Sequence, residues 1–159
     1  MAQVYIVMGS ASDIDTLKAS GMAKILDEIG VSYDISVCSA HRNLPDLEKF
    51  AEQAVASGGQ VFIGIAGMAA ALPGALAGCT GMQKPIIGVP LDEHGVDSCV
   101  YMPPGVPVLT SGVGRAGLTN AAVAACQILA AGDATVAASL KAYVTKNNRQ
   151  PRYNISLAD

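Results

Sequence analysis

Val4-Tyr5-Ile6-Val7-Met8 runs directly into Gly9-Ser10-Ala11-Ser12-Asp13, and this junction decides the fold class. The first five residues form an unbroken apolar run rich in β-branched side chains. Such a run fits a strand covered on both faces better than one with a wet side. The next five are small or polar, as a turn requires. Beyond them Leu17, Met22, Ile25, Leu26 and Ile29 recur at helical spacing, which predicts a helix over about 14–29, capped by Asp13 and ended by Gly30.

Strand, small loop and helix then repeat. Tyr33 to Cys38 reads as a strand, Ser39-Ala40-His41-Arg42-Asn43 as a loop, and Leu44 to Ser57 as a helix with Pro45 in its first turn. Val61 to Ile65 is the third strand, followed by Ala66-Gly67-Met68 and a helix over about 70–79. Pro85 to Pro90 is the fourth, and a long loop runs to Pro104. A fifth strand is expected near Val106 to Leu109, with helices over about 116–130 and 134–146. This alternation predicts the α/β class: right-handed crossovers, one parallel sheet and a three-layer α/β/α sandwich, flavodoxin-like or Rossmann-like. No linker or low-complexity stretch divides the chain, so residues 1–159 read as a single catalytic domain.

The balance of residues narrows the partners. A net charge of −3 with no basic block argues against nucleic acid. No apolar run is long enough to span a bilayer without Gly, Pro or a charge, so no membrane partner is expected. Met1-Ala2-Gln3 leads straight into a strand, without the pattern of a signal peptide, which predicts a cytoplasmic enzyme. Cys38, Cys79, Cys99 and Cys126 contain no CxxC pair. They predict four ordinary buried thiols, with neither zinc nor a disulfide framework. Only 14% of residues are charged against 51% hydrophobic, which points to buried subunit surface.

In a parallel sheet, ligands gather at the carboxyl ends of the strands. Here those ends are Gly9 to Asp13, Ser39 to Arg42, Ala66 to Ala69, and Ser111 to Gly117. The first offers backbone N–H groups and two hydroxyls ahead of a helix, which suits an anion such as phosphate. Arg42 adds a planar cation for the same group, and Asp13 an acceptor for ribose hydroxyls. No G-x-G-x-x-G follows the first strand, and there is no Walker lysine. His41, directly after a strand and between Ser39 and Arg42, is the candidate proton carrier. The second histidine, His94, follows Asp92-Glu93, and three consecutive residues rarely converge on one metal ion.

These residues resemble the aminoimidazole ribonucleotide carboxylase family, which includes the N5-carboxyaminoimidazole ribonucleotide mutases of purine synthesis. Met8 to Asp13 matches its M-G-S-x-S-D, and Ser39 to Arg42 its S-A-H-R. Ala66-Gly67 with Leu72-Pro73-Gly74 matches A-G followed by L-P-G. Pro85 to Pro90, Gly95 to Ser98, Met102 to Val108, and Asn120 to Leu129 follow in the family's order. The resemblance implies a homo-octamer in which residues from about 131 to 159 pack on neighbouring subunits. It implies an aminoimidazole ribonucleotide-type substrate, carbon dioxide as intermediate or substrate, and no metal or organic cofactor. Ser10, Ser12, Ser39 and Arg42 carry over as phosphate contacts, Asp13 as a ribose contact and His41 as the catalytic acid and base. Gly9, Ala40, Gly67, Met68, Ala71 and Leu72 complete the implied substrate-binding set.

Departures shape the expected activity. The usual mutase has His where Ala71 stands, and a longer loop between Pro90 and Met102. The branch that carboxylates with carbon dioxide directly also has Ala-Leu there, but carries Lys where this chain has Arg42. Met68 and Ala71 echo a third relative, the nicotinic acid adenine dinucleotide carboxylase. The leading expectation is the mutase, with direct carboxylation or a non-catalytic nucleotide-binding relative as alternatives. His94 is the candidate accessory group for the polar role absent at Ala71.

Overall fold

The computed structural model describes residues 1–147. Five strands, β1 (Val4–Met8), β2 (Tyr33–Val37), β3 (Val61–Ala66), β4 (Ile86–Pro90) and β5 (Leu109–Thr110), form one sheet in the order β2-β1-β3-β4-β5. Every pairing is parallel, and Val4 aligns with both Tyr33 and Val61. This is the flavodoxin-like order. The connections are α1 (Ile14–Ser20) with α2 (Met22–Ile29), α3 (Leu44–Ala56), α4 (Leu72–Cys79), α5 (Val96–Val100) and α6 (Gly114–Ala130). A last helix, α7 (Ala134–Asn147), packs on α6 and α2.

The strand period of two sorts the core into two layers. Val4, Ile6, Met8, Ile63, Ile65, Ile87 and Val89 face α1, α2, α6 and α7. Val7, Phe62, Ala66 and Ile86 face α3, α4 and α5. β1, β3 and β4 are thus apolar on both sides, which is why their sequences run without alternation. On the second face Gly64 and Gly88 stand opposite each other in the ladder. A Cβ on Gly64 would come within 3.0 Å of Pro73 Cα, and one on Gly88 within 3.2 Å of Pro73 Cβ. The two bare positions let the first turn of α4 lie directly on the sheet.

Four expectations need correction. The helix expected over 14–29 is two helices, because Gly21 adopts φ +76°. The break is satisfied locally and at long range. Ser20 Oγ donates to the Leu17 carbonyl at 2.6 Å and accepts from the Met22 N–H at 3.1 Å, while Thr119 on α6 donates to the Ser20 carbonyl at 3.0 Å. Asp13 does not cap α1 with its side chain. Instead Ser10 caps a single 3-10 turn, Ala11–Asp13, that feeds the helix. The long loop after β4 contains α5, anchored by the buried Cys99. The fifth strand lies at Leu109–Thr110 because Pro103, Pro104 and Pro107 cannot donate to a ladder, and Gly105 at φ +88° turns the chain away.

Cys99 and Cys126 are buried, but Cys38 and Cys79 are only half-buried, and all four are free thiols. Burial pushes every one above the usual thiol value, Cys126 to about 11, so none is poised as a thiolate. No helix among the described residues is long and apolar enough to cross a membrane. The expected packing of the C-terminal segment on neighbours falls partly on residues 148–159, outside the described residues.

Candidate active site

β1 lies between β2 and β3, so the chain leaves it to one side and returns on the other. That is the switch point where a parallel sheet opens a crevice. A cavity of about 380 Å³ sits there, at the carboxyl ends of these three strands. Three loops line it. The first contributes Gly9, Ser10, Ser12 and Asp13, the second Ser39, Ala40, His41 and Arg42, and the third Gly67, Met68, Ala71 and Leu72. These are the residues singled out in the sequence. Ala66 and Ala69, which the sequence placed at the end of the third strand without assigning them to the binding set, complete the lining.

Each loop is held by its own hydrogen bonds. In the first, Ser10 Oγ and Ser12 Oγ are 2.7 Å apart, and Ser12 donates to Asp13 Oδ1 at 3.1 Å. The Gly9 N–H donates to the Ile65 carbonyl at 2.9 Å and ties this loop to β3. In the second, the Ser39 carbonyl accepts from the N–H of Asn43 at 2.8 Å and of Arg42 at 3.3 Å. That turn closes around the buried Ser39 and leaves His41 and Arg42 exposed on the rim. Among the described residues the one ion pair joins Lys146 to Glu28, so no carboxylate neutralises Arg42. One side of the cavity is therefore hydroxyls and a guanidinium. The other is methyl and methylene groups from Ala66, Ala69, Ala71 and Leu72.

The third loop carries a strained residue. Met68 has φ +54°, a left-handed conformation that costs a residue with a side chain on the order of 1–3 kcal/mol. Its N–H donates to Asp92 Oδ2 at 2.9 Å, while Asp92 Oδ1 accepts from the His94 N–H at 3.0 Å. The bond from Met68, foremost, holds the Asp92 carboxyl below its usual range, helped by the His94 N–H and the charge of His94.

His94 sits in the turn Glu93–Gly95, exposed, and is not among the residues lining the cavity. That turn abuts the third loop, since a Cβ on Gly95 would fall 2.8 Å from Ala70 Cβ. The fourth small loop, from Ser111, does not line the cavity either. Ser111 donates to the Gly117 carbonyl at 2.9 Å and Asn120 donates to the Ser111 carbonyl at 3.2 Å, which shapes the start of α6. Among the described residues no three His, Cys, Asp or Glu side chains are grouped to hold a metal ion.

Comparison with known proteins bears on the family and the fold. The family model for AIR carboxylase matches residues 3–150. The N5-carboxyaminoimidazole ribonucleotide mutase of Haemophilus influenzae is 44% identical over 148 residues, covering 89% of this chain and 88% of that protein. The mutase of the same name from Escherichia coli K12 is 46% identical over 138 residues, covering 83% and 79%. Among solved structures, Treponema denticola PurE superposes with a TM-score of 0.78 at 28% identity, covering 91% of this chain and 90% of that one.

Proposed function

The chain belongs to the AIR carboxylase family, and from that premise we propose that it is an N5-carboxyaminoimidazole ribonucleotide mutase, converting that compound to 4-carboxyaminoimidazole ribonucleotide in purine biosynthesis. The observation that carries the reading is the meeting of three loops, far apart in sequence, around one cavity with a polar and an apolar half.

The chemistry divides along those halves. The substrate phosphate is assigned to Ser10, Ser12, Ser39 and Arg42, beside the turn that starts α1, and a ribose hydroxyl to Asp13. The imidazole ring then lies toward Ala66, Gly67, Ala71 and Leu72. His41 as imidazolium gives its proton to the carbamate nitrogen, the N–C bond breaks, and carbon dioxide is released inside the cavity. The electron-rich ring carbon attacks the carbon dioxide. His41, now neutral, removes the proton from that carbon, which restores the aromatic ring and the imidazolium. One group carries out both transfers, and proton and charge balance over the cycle. A wall without polar side chains keeps water from competing for the carbon dioxide. These steps give His94 no role, and it is not among the residues that line the cavity.

A second reading rests on Ala71, which lines the cavity where the family's mutases usually have His. Direct carboxylation of aminoimidazole ribonucleotide by carbon dioxide would need the same pocket and one fewer proton delivery. Purified protein given each nucleotide, with and without bicarbonate, separates the two. The mutase turns over the N5-carboxylated substrate with no dependence on bicarbonate. Product formed only from the uncarboxylated nucleotide plus bicarbonate would select the carboxylase, and no product in either arm would sink both.

Arg42→Ala tests the phosphate assignment. Loss of a charge-assisted contact should raise KM by roughly 10- to 100-fold. The turnover number should change by less than about threefold, because the proton carrier is untouched. A fall in kcat at constant KM would place Arg42 elsewhere in the mechanism.

The same family reading extends to a cytoplasmic homo-octamer in which the C-terminal segment meets neighbouring subunits. Its support is apolar surface at both sheet edges: Ile35 and Val37 on β2, and Val100, Tyr101 and Leu109 near β5, all exposed. Light scattering should give a mass near eight times that of the chain, and a stable monomer would defeat the assignment.

A further inference from the structure

Asp92 lies two residues beyond the end of β4, on the loop that follows, and does not line the cavity. Its carboxylate nevertheless bridges two loops. One oxygen accepts from the N–H of Met68, 24 residues earlier in the chain, and the other from the N–H of His94. We propose that Asp92 is a positioning residue, which locks the third wall of the cavity through the Gly67–Met68 peptide. The inference rests on the mutase reading for its consequence in turnover, and on the geometry alone for the clamp itself.

Three observations converge on that peptide. Met68 holds a left-handed φ of +54°, which persists only where surrounding contacts over-determine it. Asp92 supplies such a contact, a charged acceptor aimed at the one N–H whose direction the strained φ sets. The fit is also close. A Cβ at Gly67 would lie 3.0 Å from Asp92 Oδ2, and one at Gly95 would lie 3.0 Å from the Met68 carbonyl. Both loops therefore meet without spare room on either side of the hydrogen bond. The Leu91 N–H donates to the Ala66 carbonyl at 2.9 Å and continues the β3–β4 ladder up to the base of the clamp.

The consequence follows from the intermediate. Carbon dioxide is neutral and small, so no charged group can hold it. It stays beside the ring only while the apolar wall stays shut. The wall from Gly67 to Leu72 includes Met68, exposed and strained, and without its acceptor the peptide can turn over to an ordinary conformation. Phosphate binding would survive this, since Ser10, Ser12, Ser39 and Arg42 belong to the other two loops. Retention of carbon dioxide would not.

Asp92→Asn is nearly isosteric and keeps one acceptor oxygen, so it can hold one loop but not both. Asp92→Ala holds neither. Turnover should fall in that order, by on the order of 10-fold and 100-fold. KM should stay within about threefold of the starting protein, and a growing share of the substrate should leave as the decarboxylated nucleotide. A general loss of folded protein would not alter that product ratio. Independently of activity, the amide signals of Met68 and His94 should shift together in an acid titration by NMR. Their common midpoint should lie below the usual aspartate range, and the shift should vanish in Asp92→Asn. The facing residues Gly67, Met68, Ala69 and Ala70 carry no titratable side chain, and the titratable neighbours on the same loop are Glu93 and His94, so loss of the shared shift in Asp92→Asn is what assigns it to Asp92. An unchanged kcat and product ratio in Asp92→Ala, or amides that do not titrate together, would overturn the proposal. If the starting protein itself fails to turn over the N5-carboxylated nucleotide, the mutase reading falls, and the amide titration alone decides the clamp.

Discussion

His41→Asn should lower turnover by roughly 10³-fold or more, while the protein folds and assembles as before. A single positioned acid or base contributes on the order of 10²- to 10⁴-fold. Here one imidazole is assigned two successive transfers, so the upper part of that range is expected. Asparagine keeps the approximate shape and a hydrogen-bonding tip, but cannot carry a proton. The side chain is exposed on the cavity rim, so its replacement removes no buried contact. Steady-state rates from carboxylated nucleotide to product, with circular dichroism and mass as controls, make the measurement. Activity retained within tenfold would move the proton carrier to another group.

Phe62→Ala should cost about 3–5 kcal/mol of stability, the range for emptying an aromatic site in a core. Phe62 is fully buried on β3, which pairs with β1 on one side and β4 on the other. Its ring stacks on Tyr5 at a centroid distance of 5.5 Å and an interplanar angle of 19°, and Tyr5 in turn meets Phe50 edge-on. The chain has two phenylalanines and no tryptophan, so few side chains could collapse into the space left. Against a total of about 5–15 kcal/mol for a domain, this loss approaches the threshold of unfolding. Phe62→Leu preserves most of the volume and should cost no more than about 1.5 kcal/mol. Urea midpoints for the two variants that lie within error of each other would show that the ring is not a keystone of this layer.

Much of the architecture is legible in the order of residues because short apolar runs alternate with stripes of helical period. β1, β3 and β4 read as apolar runs since both faces are covered, and small polar residues mark where each strand leaves the sheet. The cavity is legible for the same reason: a parallel sheet forces the loops after β1, β2 and β3 to one edge. What stays hidden depends on contacts between distant residues. Gly21 sits within an intact apolar stripe, and the break at its left-handed φ is supported from a distance by the Thr119 bond to Ser20. α5 hides in a polar segment whose one buried anchor is Cys99. Asp92 reads as an ordinary loop carboxylate until Met68 is found at hydrogen-bond distance. His94 follows the same rule in reverse, being prominent in the sequence yet outside the cavity lining.

The placement of β1 between β2 and β3 also dictates the order in which the protein can mature on the ribosome. Val4 aligns first with Tyr33, then with Val61, so the earliest strand to emerge must wait for its second partner. The hydroxyls of the first two loops can be present early, but the third wall ends at Leu72. One face of the growing sheet, with Val4, Ile6, Ile63 and Ile65, has only the covering of α1 and α2 until Leu118, Ala121, Ala125 and Leu129 of α6 arrive. A nascent chain shorter than that carries a half-roofed apolar sheet. Parallel pairing of this kind is slow and exposes sticky surface while it waits. Translation speed through the codons between β4 and α6, and chaperone occupancy over that interval, therefore bear on yield.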